Sequence, residues 1–580
     1  MALLRPFTGQ DASLRGRSHL GADVLVLLAV AVIFWLIVRL SHGITEPFDR
    51  VTAPSTVSTD PANLPYYAAR SLLRMFVALA ASTIFTFVYA TAAARLRRAE
   101  KIMLPTLDVL QSVPVLGFLS ITLSVWLMLF PGTALGVECA AIFAIFTSQV
   151  WNMTFAFHQS LITQPRDLDE AARLLRLTKW QRFWKLDVPI GTMPLVWNGM
   201  MSFGGGWFFL IASEVITVNN HVYALPGIGS YVAAASANQQ IGRLLLAIVV
   251  MIVMVVGVNF LFWRPLTAWA ERFRAGDTVT VDQQRSVVLD LLRRSVVPAV
   301  VGRALRPVGA GLDRVTRPLG RADRPLRVNQ VRRRAGDIAF AVIVTGLIVL
   351  GLVRMLTYID DNTGLDQFVV AAGLGLATFA RVVVVLVVGT VVWVPIGVWI
   401  GLSPKVTRFA QPVVQVLASF PANFLFPFLT LLLIHTGVSL NLGGIVLMAL
   451  GAQWYILFNV IAGAAAIPND LREAAVNLRL NRFHRWRYLY GPAIFASWVT
   501  GGITAAGGAW NASIVAEVVS YGSHTLTATG LGAYIAQSTA QGDFARTLVG
   551  ATVMSIFVVG LNRLFWRRLY DFAERRFSLS

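Results

Sequence analysis

The stretch Pro165-Arg-Asp-Leu-Asp-Glu170-Ala171-Ala172-Arg-Leu-Leu-Arg176-Leu-Thr178-Lys-Trp-Gln181-Arg-Phe-Trp-Lys-Leu186-Asp-Val188-Pro189 occurs twice. Its second copy is Pro468-Asn-Asp-Leu-Arg-Glu473-Ala474-Ala475-Val-Asn-Leu-Arg479-Leu-Asn481-Arg-Phe-His-Arg-Trp-Arg-Tyr-Leu489-Tyr-Gly491-Pro492. The first Pro, an Asp-Leu pair, Glu-Ala-Ala, Leu-Arg-Leu and the final Pro recur at one offset of 303 residues. A charged segment kept twice in a mostly apolar chain reads as a docking surface.

The 580 residues around it are 56% hydrophobic and only 13% charged, with a mean hydropathy of +0.66. Soluble domains carry about 25% charged residues, so this composition is that of a polytopic membrane protein. The net charge of +20 has two readings, nucleic-acid binding or membrane topology. The arginines sit beside apolar spans, which favours topology and sets nucleic acid aside. The single cysteine, Cys139, lies in an apolar run and leaves no disulfide framework or cysteine-based metal site. Arg5, Arg15 and Arg17 precede the apolar run 22–40. That run is long enough to cross a bilayer, and it reads as a retained first span with its N-terminus inside rather than a cleaved signal.

Apolar runs predict six spans per half, near 22–40, 72–95, 107–130, 134–157, 192–215 and 240–263, then 338–356, 376–402, 412–434, 442–465, 493–519 and 546–566. The expected fold is an all-α polytopic membrane protein of about 12 helices, two parallel six-helix repeats. The domains are 1–275, a basic linker 276–336, and 337–580. With the N-terminus inside, both Glu-Ala-Ala loops, the linker and the C-terminus fall on the cytoplasmic side, where the large arginine clusters lie. Trp151 pairs with Trp454, Trp207 with Trp510 and Glu214 with Glu517 at the same offset. Gly227, Gly229 and Tyr231 pair likewise with Gly530, Gly532 and Tyr534. Arg74, Pro105 and Pro114 match Arg381, Pro412 and Pro421 at an offset of 307. The linker reads as a solvated tether, with basic residues that would also suit anionic headgroups.

Each loop copy reads as two short helices. Pro165 and Pro468 suit a first-turn position. Thr178 and Asn481 are good N-caps, and Thr178 with Gln181 has capping-box form. The duplicated loop resembles the EAA loop of type I ABC importer permeases, whose pattern is Glu-Ala-Ala, three residues, Gly, nine residues, Ile, one residue, Leu-Pro. Glu-Ala-Ala and the final Pro fit in both copies. Arg176 and Arg479 stand in place of the Gly, Leu186 and Leu489 in place of the Ile, and Val188 and Gly491 in place of the Leu. The bend between the short helices is then expected at the capped break, Thr178 and Asn481. More narrowly, the chain is similar to duplicated permeases of the nitrate/sulfonate/taurine-type anion branch.

The resemblance implies a fold, partners and site residues. Each loop would dock on one of two ABC ATPase subunits through Glu170, Ala171, Ala172, Arg176, Thr178 and Pro189, or through Glu473, Ala474, Ala475, Arg479, Asn481 and Pro492. ATP and magnesium would be bound by those partners, with no cofactor on this chain, and a binding protein would deliver a small-molecule substrate outside. The location implied is a bacterial inner membrane.

The chain has no phosphate-binding Gly-x-x-x-x-Gly-Lys-Ser/Thr stretch, no His-Glu-x-x-His and no Gly-x-Ser-x-Gly. No catalytic or metal-binding residue is therefore expected. Polar residues within spans are candidates for the pathway or its gates. These are Arg74, Arg381, Gln111, Ser112, Asn423, Trp151, Trp454, Trp207, Trp510, Glu214 and Glu517. Glu214 and Glu517 are read as structural or as members of a gate salt bridge, with Arg74 and Arg381 as candidate partners, because a carboxylate in an anion's path would repel it. Arg74 and Arg381 are read either as an anion-attracting pair or as side chains reaching the outer headgroups. Gly204 to Gly206 and Gly507-Gly508 are read chiefly as packing positions. Alternative functions are an ion-gradient-driven transporter, a permease for a non-anionic solute, and a membrane enzyme or lipid exporter. The first has no use for two matched docking loops.

Overall fold

The computed structural model describes residues 20–42, 56–112, 115–218, 221–273, 286–304, 306–316 and 330–577. The first repeat runs α1 (Leu20–His42), α2 (Leu64–Arg95), α3 (Arg97–Ser112), α4 (Leu119–Leu129) and α5 (Leu135–Ile162). It continues through the short α6 (Arg166–Leu174) and α7 (Lys179–Arg182) to α8 (Val188–Ser213), α9 (Ile228–Ala237), α10 (Ile241–Val258) and α11 (Arg264–Ala270). Three linker helices follow: α12 (Val287–Arg294), α13 (Val297–Ala304) and α14 (Arg306–Val315).

The second repeat copies the first. It comprises α15 (Gln330–Thr363), α16 (Gln367–Leu402), α17 (Pro404–Ser419), α18 (Phe426–Thr436) and α19 (Leu440–Ala465). The short α20 (Asn469–Asn477) and α21 (Arg482–Arg485) then lead to α22 (Gly491–Ala516), α23 (Leu531–Gln541), α24 (Phe544–Leu561) and α25 (Arg567–Phe577). Even single π-helical turns recur, at Phe183–Asp187 and Trp486–Tyr490, and again at Asn259–Trp263 and Asn562–Trp566.

Among the described residues nine helices are long and apolar enough to span a bilayer, and ten if the bent pair α17–α18 counts as one. The 26-residue α22 and the pair α3–α4 hold the two remaining positions of the repeat pattern. The third span of each half, read from the sequence as one run, is broken. α17 and α18 meet at 76°, and a 3-10 turn at Ala422–Leu425 follows Pro421, which cannot donate a helical hydrogen bond. A second detail outside the sequence reading is a short antiparallel hairpin in each half of the otherwise helical chain. β1 (Val215–Val218) pairs with β2 (His221–Ala224), and β3 (Val518–Tyr521) with β4 (His524–Thr527). Both follow the end of α8 or α22. The linker, read as a tether, carries three helices.

Within each half α5 packs on α2 and α8, and α19 on α16 and α22. The third spans cross over. α17 packs against α8 and α10 of the first half, while α3 and the turn Val115–Phe118 pack against α24 and α22 of the second. The apolar cores are accordingly mixed: Leu116 and Leu123 belong to the second half's core, and Phe424 to the first half's. The hairpin side interlocks as well. The Gly522 amide donates to the Ser236 carbonyl at 3.1 Å, and Ser236 Oγ donates to Ser520 O at 3.4 Å.

Candidate translocation site

A cavity of about 290 Å³ lies between the two halves. Its wall takes Gln111 and Val115 from the first third span, Phe420, Pro421 and Ala422 from the second, and residues of α5, α8, α19, α22 and α24. Trp151, Asn152, Thr147 and Ser148 face it from α5; Trp454 and Tyr455 from α19; Thr504, Trp510 and Asn511 from α22. No Asp, Glu, Lys, Arg or His is among its described lining residues. What it offers a solute is amides, hydroxyls and aromatic faces. Gln111 Nε2 donates to Asn152 Oδ1 at 3.3 Å, and Asn152 Nδ2 to Ser202 Oγ at 3.4 Å, which orients that amide pair.

The glycine runs pack as expected at one position and leave open space at another. Gly204 packs close: a Cβ there would sit 2.8 Å from Ser419 Oγ. At Gly507 a Cβ would meet nothing within 4 Å, so this glycine leaves space in the cavity. Both helices continue unbroken through these runs.

Of the sequence candidates, Gln111, Trp151, Trp454 and Trp510 line the cavity. Trp207 does not: it is buried in the first half's core. Asn423 also lies outside the lining, its amide donating to Phe208 O at 3.2 Å. The Ser112 side chain lies outside the described residues. Arg74, Arg381, Glu214 and Glu517 are absent from the wall because they consume one another. Arg74 Nη1 reaches Glu214 Oε1 at 2.7 Å, and Arg381 Nη1 reaches Glu517 Oε1 at 2.7 Å. All four are buried.

These pairs anchor larger clusters. Arg74 also bonds Glu138 through Nε at 2.6 Å, and Arg70 pairs with Glu138 too. In the second half Asn441 takes the place of Glu138, accepting from Arg381 Nη2 at 2.7 Å, and Ala377 takes that of Arg70. One negative and one positive charge are lost together, so each cluster is balanced. Ser71 and Thr378, likewise matched, hydrogen-bond Glu214 and Glu517. The paired glycines are explained here. A Cβ on Gly227 or Gly530 would overlap the carboxylate of Glu214 or Glu517, and Gly229 N donates to Glu214 Oε2 at 2.6 Å.

The duplicated loops lie at the opposite ends of α8 and α22 from these clusters. Glu170, Ala171, Arg176, Glu473, Ala474 and Arg479 are exposed, while Ala172 and Ala475 are buried against the chain. Leu174, Leu175, Val476 and Leu478 stand out beside them, Leu174 at 85% exposure. Arg176 and Arg479 have φ of 49° and 50°, the left-handed conformation that glycine adopts freely. The bend therefore falls at the arginine position, two residues before the cap where it was expected. The cap forms as well. Thr178 Oγ1 accepts from Gln181 N while Gln181 Oε1 accepts from Thr178 N, and Asn481 Oδ1 accepts from His484 N at 2.8 Å. Pro189 and Pro492 enter the first turns of α8 and α22.

Each loop is tied to the end of the second helix of its half. In the first, Asp169 pairs with Arg182, and Arg95 of α2 reaches Asp187 Oδ1 at 2.7 Å. In the second, Arg472, at the position of Asp169, donates to Leu402 O at the end of α16.

A duplicated loop, a duplicated helical unit and a cavity between the units define what a relative must share. The family model of binding-protein-dependent transport system inner membrane components matches twice, at residues 79–266 and 393–579. The chain belongs to this family. It is a permease of ATP-binding-cassette importers of type I, carries the family unit in two copies, and is not itself an enzyme. A nitrate import permease protein of Synechocystis sp. is 27% identical over 217 residues, 37% of this chain and 72% of the relative. One from Leptolyngbya laminosa is 28% identical over 146 residues, 25% of this chain and 47% of its own. A bicarbonate transport system permease protein of Synechococcus elongatus is 26% identical over 135 residues, 23% of this chain and 45% of its own. The chain thus spans under half the length of the latter two.

Sequence reasoning missed Glu138, Arg70, Tyr455, Thr504 and Asn511. A usable signal exists for some of these. Asn152 matches Tyr455 and Phe208 matches Asn511, so the cavity wall includes positions at which the repeats differ.

Proposed function

We propose that this one chain supplies both halves of the membrane pathway of an ATP-driven importer, and that its solute is a small anion of the nitrate, bicarbonate or sulfonate class. The observation that carries the two-half pathway is the cavity between the repeats, walled by both. Similarity to nitrate and bicarbonate permeases supports the anion. In this reading the domains are 1–275 and 337–580, joined by a linker at 276–336, with both termini and both loops in the cytoplasm. Two ABC ATPase subunits, which hold ATP and magnesium, dock on α6–α7 and α20–α21, and a binding protein delivers solute at the hairpin side.

The geometry supplies a transmission route. Arg95–Asp187 joins the first loop to one end of α2, and Arg74–Glu214 joins α2 to the far end of α8. A push on the loop therefore moves α2, α5 and α8 as one body against the other half, which exchanges the side on which the cavity opens. A second reading, a non-anionic solute, is favoured by the same uncharged wall.

Transport by the purified chain with its ATPase in vesicles tests both readings. Nitrate or bicarbonate uptake that requires ATP supports the anion; uptake of neutral solutes alone supports the second. Glu170→Ala with Glu473→Ala is expected to leave the chain inserted and to lower ATPase binding or transport. Unchanged transport by that variant rules out the coupling role.

A further inference from the structure

The linker between the repeats carries an uncovered apolar stripe. On α14, Val308, Leu312 and Val315 fall at i, i+4 and i+7, one face of a helix, and are 56%, 44% and 74% exposed. On α13, Val300 and Val301 are also about half exposed. These exposures match those of Val342, Ile343 and Leu347 on α15, which are 65%, 60% and 63%, and α15 is long and apolar enough to cross a bilayer. Arg303, Arg306 and Arg314 accompany the stripe.

A second observation fixes its level. Asp23, in the first turn of α1, accepts hydrogen bonds from Ser295 Oγ and from Val296 N, both at 2.7 Å. α12 packs on α1 and α11. The first turn of a spanning helix marks the water–bilayer boundary, so these bonds hold the start of α13 at that boundary. We propose that α13 and α14 lie in the membrane interface, with the valine–leucine stripe against the acyl chains and the arginines among anionic lipid headgroups. Amphipathic helices with basic polar faces take this position when apolar burial and headgroup attraction act together. A lipid surface suits the stripe better than a protein does, because its near end is held at the first turn of α1, and α15, long and apolar enough to cross a bilayer, follows it in the chain.

The test uses the full chain in a Cys139→Ala background, first without and then with the ATPase. Leu312→Cys, Val308→Cys and Ala310→Cys are labelled separately with an environment-sensitive fluorophore and placed in phosphatidylcholine nanodiscs with or without phosphatidylglycerol. Ala310 is exposed on the opposite face of α14. Acyl-chain nitroxide lipids are expected to quench labels at 308 and 312 at least about threefold more than at 310, and aqueous iodide to do the reverse. Phosphatidylglycerol is expected to widen the difference, and Arg303→Gln with Arg306→Gln and Arg314→Gln to cancel that widening. Equal iodide quenching at all three positions overturns the proposal. So does protection at 308 and 312 that arises only when the ATPase is added, which would make the stripe a protein contact. Lipid quenching that ignores phosphatidylglycerol overturns the headgroup role of the arginines.

Discussion

The two buried clusters have different memberships and the same net charge. The first holds Arg70, Arg74, Glu138 and Glu214; the second holds Arg381, Glu517 and the neutral Asn441. Removing one partner of a buried ion pair costs about 3–5 kcal/mol, because the other charge is left uncompensated. Glu138→Asn alone is therefore expected to destabilise the chain by a few kcal/mol, read as a lower melting temperature in detergent. Adding Arg70→Ala recreates the composition of the second half and should restore most of that loss. A double variant no more stable than Glu138→Asn would show that charge balance is not what the cluster conserves. Glu214 and Arg74 were legible in the sequence as candidate partners, since both recur. Glu138 was not: its counterpart is an asparagine, and matching identical residues passes over a position that changed together with another.

Among the elements, the docking loops show how a bend survives the loss of its usual residue. Arg176 and Arg479 hold left-handed backbone conformations, at about 1–2 kcal/mol each for a residue with a Cβ. Arg176→Gly with Arg479→Gly should keep the fold and raise the melting temperature slightly. A β-branched replacement, Arg176→Val with Arg479→Val, should weaken ATPase co-purification by straightening or fraying the bend. Equal co-purification of the valine variant would detach docking from the bend. The two short helices and their caps were legible from Pro165, Thr178, Gln181 and Asn481. The break in each third span was not, although Pro421 marks it. The apolar run continues through the proline, and hydropathy averages over a bend. Nor were the hairpins legible, being four-residue strands beside long helices. Which side of α5 or α22 meets the cavity depends on helix rotation, and the even apolarity of these helices conceals it.

At the scale of the molecule, the halves touch at both the crossed third spans and the hairpin side. The bonds of Ser236 to Gly522 and Ser520 close the seam at that end, and alternating access requires that they part. Ser236→Cys with Ser520→Cys, in a Cys139→Ala background, is expected to form a disulfide under oxidation. It should stop transport while leaving the ATPase bound, and reduction should restore it. Full transport by the oxidised, cross-linked chain would show that the hairpin seam does not open. The crossed spans have a different consequence. Because each half finishes the other's wall, and because Asn152 stands where the other half has Tyr455 and Phe208 where it has Asn511, the pathway is a hybrid that neither half makes with its own duplicate. Two separate polypeptides with such similar partners would sort themselves into like and unlike couples. Covalent fusion removes that lottery: every molecule synthesised is already the mixed couple, in one-to-one proportion.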